Sequence, residues 1–302
     1  METKVHDIEF SSEGATLRGR LYLPATGAPF PAVAMTNGLS ATITMAIDRY
    51  AATFAEHGIA ALLWDHRNFG ISDGEPRQQI NPWLQARGYR DALGVLAKHS
   101  HIDADRLAVW GDSLSAGVAT VVAACDDRVK ALVAQVPSCG RTPPPADPDG
   151  ARFRQLRQTL LDGDISATPE TTVGPLPVVS YDPIGTPSLL SPLTAFRWFI
   201  EFGARHNSGW VNHGTRAMPP TPEPYHVGLA TPFVTVPTLA MISPDDEMPG
   251  ADPKVAYEVF AAVAGPTTIV DIEGGHFGLM FDPSPELDVA RNIQTKFLRE
   301  YL

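Results

Sequence analysis

Residues 107–117 read Leu-Ala-Val-Trp-Gly-Asp-Ser-Leu-Ser-Ala-Gly, a serine set between small residues where an apolar run gives way to a helix start. Leu107–Trp110 has the pattern of a short buried strand. The small residues Ala116, Gly117, Ala119, Ala123 and Ala124 suit a helix packed closely on a sheet. A serine at such a strand-to-helix turn is lifted out of the chain path, its Oγ exposed above the sheet. Gly111 and Ser115 are small because the two backbones nearly touch there. The helix N-terminus also turns its N–H groups toward any negative charge developing beside Ser113. Ser113 is therefore the candidate nucleophile.

A serine hydroxyl is a weak nucleophile at neutral pH. It needs a histidine within hydrogen-bond reach to take its proton, and a carboxylate behind that histidine to fix the tautomer and stabilise the imidazolium. Of the nine histidines, His276 has the right setting, in the glycine-rich loop Gly274-Gly275-His276-Phe277-Gly278 that follows an apolar strand. His6, His99 and His101 lie near exposed ends or polar turns, and His57 ends a helix. His66 follows a strand and supports its loop, while His206, His213 and His226 fall in a proline-rich segment. The carboxylate comes from Ser243-Pro244-Asp245-Asp246-Glu247-Met248-Pro249. Asp245 and Asp246 are adjacent, so only one can point inward, and an acidic residue here could instead serve the N-terminus of the next helix. Backbone amides of Leu114 and of the Gly38–Leu39 segment are placed to bind an oxyanion, each donor worth about 3 kcal/mol.

These loops need a scaffold with strands ending on one side. Residues 7–25 carry two alternating apolar runs, an antiparallel entry hairpin. Strands are expected at Pro31–Thr36, Ile59–Trp64, Leu107–Trp110, Val129–Val136, Thr238–Ser243 and Thr267–Ile272. Helices are expected at about Ala46–His57 with Gly58 ending it, Trp83–Lys98 capped by Asn81-Pro82, Pro253–Val263 and Pro285–Tyr301. In the last of these Val289, Ile293 and Phe297 form a packing stripe. Strands apolar on both faces and alternating with helices indicate a mostly parallel sheet flanked by helices. Ligands bind such sheets beyond the carboxyl ends of the strands.

The rhythm breaks between Cys139 and Val236, where more than half of the chain's 28 prolines lie. One helix is expected there, about Leu193–Arg205. It sets Phe196, Phe199 and Phe202 at i, i+3 and i+6, with Trp198 and Ile200 pointing elsewhere. Phe199, Phe202 and Trp198 are the candidate substrate-contacting residues, and packing on the core or on another subunit is the alternative for this aromatic face. The chain reads as one α/β core, residues 1–138 and 236–302, interrupted by a lid or cap insertion at 139–235.

A chain of 302 residues with mean hydropathy −0.06 can bury a substantial core. Its net charge of −11 argues against nucleic acid as a partner. No apolar stretch approaches the ~18–20 residues of a bilayer span, and Met-Glu-Thr-Lys-Val-His-Asp lacks a signal-peptide layout, so a cytoplasmic location without membrane association is expected. Cys125 and Cys139 are too few for a disulfide framework or a cysteine metal site; Cys125 suits a small buried hydrophobe. No metal-ligand spacing or phosphate-binding glycine loop is present, so no cofactor and no metal are expected. The expected partner is a small-molecule acyl substrate, and a homodimer is compatible with the sequence.

The segments Asp65-His66-Arg67-Asn68-Phe69-Gly70-Ile71-Ser72-Asp73-Gly74-Glu75-Pro76-Arg77, Trp110-Gly111-Asp112-Ser113-Leu114-Ser115 and Glu273-Gly274-Gly275-His276-Phe277 resemble those of the α/β-hydrolase superfamily. Among its members the chain resembles dienelactone-hydrolase-like and acetyl-xylan-esterase-like serine hydrolases, and the hydrolases and acyltransferases of polyketide pathways. The order Ser, Asp, His matches that superfamily. The resemblance covers roughly 30–136 and 236–280. It implies an α/β-hydrolase fold with Ser113 as nucleophile, Asp246 as acid, His276 as base and the Leu39 and Leu114 amides as oxyanion hole. Two positions depart from the pattern: Asn37 stands where the family has histidine, and Ser115 where it has glycine. The expected activity is cleavage of a carboxylic ester or lactone through an acyl-enzyme. Acyl transfer or thioester cleavage on the same residues is the alternative, with amide hydrolysis a third option. A non-catalytic binding protein on this fold is the reading from a different class.

Overall fold

A computed structural model describes residues 3–165 and 168–302. Its main sheet has eight strands in the order β1-β2-β4-β3-β6-β7-β10-β11: β1 Lys4–Ser12, β2 Ala15–Leu23, β3 Phe30–Thr36, β4 Ala60–Trp64, β6 Ile102–Asp112, β7 Val129–Gln135, β10 Thr238–Ile242 and β11 Thr267–Asp271. The expected entry hairpin is β1–β2, paired without a break from Lys4↔Leu23 to Ser12↔Ala15. β2 runs antiparallel to β4, and from β4 across to β11 the strands are parallel. The chain has the α/β-hydrolase fold, a mostly parallel sheet flanked by helices.

The apolar runs are buried on both faces because each face carries its own core. Ala32, Ala34, Leu62, Val109 and Leu132 share a cluster with helices α2 Pro82–Lys98, α3 Leu114–Cys125 and α7 Pro253–Ala261. Val33, Met35, Leu63, Ala108 and Val133 face the other way, onto α1 Asp48–Glu56 and α8 Pro285–Tyr301. Local signals set the helix ends. Asn81 accepts from the Trp83 and Leu84 N–H groups with Pro82 in the first turn, and Gly58 follows α1 at φ 90°. α1 begins two residues later than expected because Ala46 takes φ 73°, which no helix can hold.

The expected stripe on α8 is displaced. Val289 is 48% exposed, and the core contacts come from Leu287, Ala290, Gln294 and Leu298 with Phe297. A strict four-residue spacing drifts around a helix of 3.6 residues per turn, and the true stripe alternates threes and fours.

Residues 139–235 hold more regular structure than the proline density predicts. Besides α5 Leu193–Gly203 there are α4 Ala151–Asp162, α6 Val227–Ala230 and the strands β8 Thr171–Leu176 and β9 Gly214–Met218, which form a small sheet with β5 Gln79–Ile80 from outside the segment. α4 lies in a stretch free of proline and buries Phe153, Leu156 and Leu160, an amphipathic spacing present in the sequence. Among the described residues no helix is long and apolar enough to cross a membrane.

Candidate active site

β6 passes into α3 through Ser113, whose backbone sits at φ 53°, ψ −119°. Such a conformation costs a non-glycine residue about 1–3 kcal/mol and persists only where the surroundings impose it. Here the Ser113 N–H donates to the Gln135 carbonyl at the end of β7, and the Ser113 carbonyl accepts from the Ser138 N–H. The strand and helix approach so closely that a Cβ on Gly111 would lie 2.2 Å from the Ser115 carbonyl oxygen. Glycine is required there, as the sequence reading anticipated.

The loops after β10 and β11 bring two groups to the serine. Ser113 Oγ lies 2.9 Å from His276 Nε2, and His276 Nδ1 lies 2.6 Å from Asp246 Oδ2. The side chains of His276 and Asp246 are each 3% exposed, so the pair is screened little by solvent. Because a carboxylate only accepts, it holds the hydrogen on Nδ1 and leaves Nε2 free to accept the serine proton. Asp245 is exposed, and Asp246 is the carboxylate turned inward. Asp246 is itself held by the Met248 N–H on Oδ1.

The loop after β3 packs directly on this turn. A Cβ on Gly38 would lie 2.8 Å from both the Asp112 carbonyl oxygen and Ser113 Cβ. The Gly38 N–H donates to Asp112 Oδ1, and burial pushes the Asp112 carboxyl up to about 7, against the pull of nearby His276 and of that hydrogen bond. Leu39 adopts φ 43°. The N–H groups of Leu39 and Leu114 have no hydrogen-bond partner among the described residues.

Both departures from the superfamily pattern meet at one point. Ser115 Oγ donates to the Asn37 carbonyl at 2.5 Å and lies 2.9 Å from His66 Nε2, while Asn37 Nδ2 donates to the Thr42 carbonyl at 2.5 Å. The hydroxyl that replaces a glycine hydrogen thus ties α3 to the loop after β3, and His66 closes the link from the end of β4. His66 is pushed down to about 3 by burial, so it stays neutral and serves as a fixed hydrogen-bonding strut.

Glu247, which the sequence reading set beside the acid without a role, bridges two segments. Its Oε2 accepts from the His276 N–H at 2.9 Å and its Oε1 accepts from the Thr194 hydroxyl at the start of α5.

A cavity of about 300 Å³ opens onto Ser113 and His276. Trp198 and Phe199 of α5 line it, together with Leu39, Ile80, Val227, Met248, Phe277 and Met280. The expected aromatic face is corrected in its members. Phe202 does not line the cavity; it is fully buried, stacked on Trp198 at 5.3 Å between ring centres and packed near Phe281. Phe196 is also absent from the wall and meets Tyr181 edge to face. Trp198, read as pointing elsewhere, faces the cavity because its indole N–H is anchored on the Met280 carbonyl and its ring stacks on Phe277. Phe202 lies on the same side of α5 as Trp198 and Phe199 but about one turn further along, where it packs against Trp198 and Phe281 instead of reaching the cavity. His226 lines the cavity, whereas His206 and His213 are exposed and do not. Cys139 reaches the cavity lining and Cys125 the core; both are buried free thiols held protonated, pushed up to about 12 by burial.

Comparison with known proteins agrees with this architecture. The family described as Esterase FrsA-like matches residues 1–140. The chain is 37% identical over 161 residues to Thiohydrolase apmlB of Arthrinium phaeospermum, covering 53% of this chain and 51% of that protein. It is 38% identical over 133 residues to Polyketide transferase ATR5 of Stachybotrys chlorohalonatus, covering 44% of each. The chain thus spans about half the length of the curated relatives it matches. Among solved structures, the alpha/beta hydrolase GrgF from Penicillium sp. sh18 superposes with TM-score 0.73 at 24% identity over 99% of both chains. Dienelactone hydrolase from Anabaena variabilis does so with TM-score 0.59 at 15% identity over 100% of both, so the expected likeness to that group holds at the level of the fold.

Proposed function

We propose that this protein is a serine hydrolase that cleaves a carboxylic ester or lactone through an acyl-enzyme, with Ser113, His276 and Asp246 as its catalytic triad. The observation that carries this reading is the continuous hydrogen-bonded chain from Ser113 Oγ through both ring nitrogens of His276 to the inward carboxylate of Asp246. His276 Nε2 takes the Ser113 proton as Oγ bonds to the acyl carbon. The carbonyl oxygen becomes an oxyanion between the Leu39 and Leu114 N–H groups. Collapse of this intermediate breaks the bond to the leaving group, which takes the proton from His276. Water, deprotonated by the same nitrogen, then releases the acid and restores Ser113. Residues 1–138 and 236–302 form the hydrolase core in this proposal, and 139–235 the lid whose Trp198 and Phe199 wall the acyl site. The substrate is a small acyl compound; nucleic acid and membrane take no part.

Thioester cleavage or acyl transfer by the same acyl-enzyme is the second reading, favoured by the names of the similar proteins, a thiohydrolase and a polyketide transferase. A fluorophosphonate probe tests the shared step. Intact mass should rise by one adduct, the labelled peptide should contain Ser113, and Ser113→Ala should abolish labelling and turnover. Labelling at another residue, or an active Ser113→Ala enzyme, refutes the proposal. Oxygen-ester and thioester substrates, each with and without an alcohol acceptor, then separate hydrolysis from transfer by the product formed.

A further inference from the structure

β3 and β6 run side by side toward the turn that carries Ser113, with Thr36 opposite Gly111 in the ladder. The loop after β3 therefore leaves the sheet beside that turn, and residues on either side of Ser113 reach across to it. Asp112 Oδ1 accepts from the Gly38 N–H at 2.8 Å, and Ser115 Oγ donates to the Asn37 carbonyl at 2.5 Å. Both bonds fall on one peptide unit, that between Asn37 and Gly38. The unit is trans, so its carbonyl and its N–H point in opposite directions. The turn thus holds this peptide at both ends.

Water does not compete for these bonds. Asn37, Asp112, Ser115 and His66 are all buried, none more than 3% exposed. A hydroxyl has one hydrogen and Ser115 gives it to Asn37, so the hydrogen in the 2.9 Å contact between Ser115 Oγ and His66 Nε2 comes from His66. His66 thereby orients the hydroxyl, and burial keeps the ring neutral by pushing it down to about 3. The next N–H along the loop belongs to Leu39, whose φ of 43° a leucine rarely adopts. Rotation of the Asn37–Gly38 plane would break both hydrogen bonds at once and swing the Leu39 N–H with it.

We propose that Asp112 and Ser115, with His66 behind Ser115, are positioning residues that clamp the Asn37–Gly38 peptide and so aim the Leu39 N–H at the oxyanion. The clamp fastens the oxyanion donor to the turn that carries the nucleophile, which sets the spacing between donor and Ser113 Oγ within one unit. The inference rests on the hydrolase reading and deepens it, since it assigns the reaction residues outside the triad. The oxyanion forms only as Oγ bonds to the acyl carbon, so the clamp acts on kcat and not on substrate binding.

Two measurements test the clamp, one with turnover and one without. At pH 8 the Asp112 carboxyl, pushed up to about 7, accepts as an anion. On 4-nitrophenyl butyrate, Ser115→Ala and Asp112→Ala should each lower kcat by about 10–10²-fold with KM within about threefold, short of losing a whole oxyanion donor. Asp112→Asn keeps an acceptor for the Gly38 N–H and should recover most of the loss. The double variant should lose less than the product of the single losses, because either change frees the same peptide. A trifluoromethyl ketone, which forms an oxyanion on Ser113, should weaken in step with kcat/KM while the product butyrate keeps its affinity. A kcat within about threefold of wild type in both alanine variants, or a risen KM at unchanged kcat, overturns the clamp. So do fully multiplicative losses in the double variant, or an Asp112→Asn enzyme no better than Asp112→Ala. Amide hydrogen exchange in the Ser113→Ala protein reads the clamp without turnover. Adding Ser115→Ala should speed exchange of the Gly38 N–H by about tenfold or more, although Ser115 bonds the carbonyl of that peptide, and leave the β3–β6 ladder amides unchanged. Unchanged exchange at Gly38, or equal acceleration along the ladder, overturns the proposal. Absence of all ester and thioester turnover in the wild type would instead refute the hydrolase reading, with the exchange still deciding the clamp.

Discussion

Replacing Gly38 with alanine tests the proposed oxyanion hole through space alone. Gly38 does not have a positive φ, so alanine meets no backbone penalty there. Its Cβ would lie 2.8 Å from the Asp112 carbonyl oxygen, 2.8 Å from Ser113 Cβ and 3.2 Å from Asp112 Oδ2, where ordinary contacts begin at 3.4 Å. One side must move by about 0.6 Å. The Ser113 side is held by the Gln135 carbonyl and by the β6 ladder, so the loop after β3 gives way and carries the Leu39 N–H with it. Misplacement on this scale costs on the order of 10²-fold in rate, and loss of a whole oxyanion donor roughly 10²–10³-fold. The effect belongs to the transition state, so kcat should fall by about 10²-fold with KM within about threefold. Steady-state kinetics on a 4-nitrophenyl ester measure both, and a thermal melt checks the fold. A Gly38→Ala enzyme with kcat within about threefold of wild type would show that the Leu39 N–H does not bind the oxyanion.

Three further outcomes are expected. Asp246→Asn should lower kcat by roughly 10³–10⁴-fold, through loss of the tautomer and of imidazolium stabilisation, while exposed Asp245→Asn stays within about twofold; a larger loss at Asp245 would reverse the assignment. Phe199→Ala removes a side chain that lines the cavity and also packs on Trp198, Trp210 and Phe277. It should cost about 3–5 kcal/mol in stability and reduce kcat/KM for a long-chain ester more than for an acetate, whereas equal losses on both would assign Phe199 to packing alone. Burial pushes the Asp112 carboxyl up to about 7, against about 3.9 in the unfolded chain, so between these values the native state keeps a proton that the unfolded state has lost. Stability from this group therefore falls as pH rises through that window, by up to about 1.4 kcal/mol per unit, and levels off above it. The Tm of wild type minus that of Asp112→Asn should accordingly decrease from pH 5 to pH 7 and then flatten, and a difference constant across the window would contradict a raised Asp112.

Much of the core was legible because its signals are local. Apolar runs buried on both faces, the Asn81-Pro82 cap, the Gly58 stop and the glycine demanded at position 111 each act within a few residues. They suffice for a parallel sheet with helices on both sides, and they mark Ser113 and His276 by the turns on which they sit. The selection of Asp246 over Asp245 is different in kind: neighbours in sequence point to opposite sides, and which one meets a histidine 30 residues away depends on how the loops after β10 and β11 pack. The same holds for Ser115 with Asn37, for Glu247 spanning His276 and Thr194, and for Trp198, which took the cavity wall in place of Phe202. The small sheet β5-β9-β8 pairs β5, at residues 79–80, with two strands of the segment 139–235, and pairing across that distance in the chain left no local trace. Chain-local sterics and hydrophobic periodicity determined the scaffold and the two turns that carry Ser113 and His276. Which carboxylate meets His276, the struts behind the loop after β3 and the cavity's walls were decided by tertiary structure, because each is a contact between segments whose sequences carry no information about one another's position.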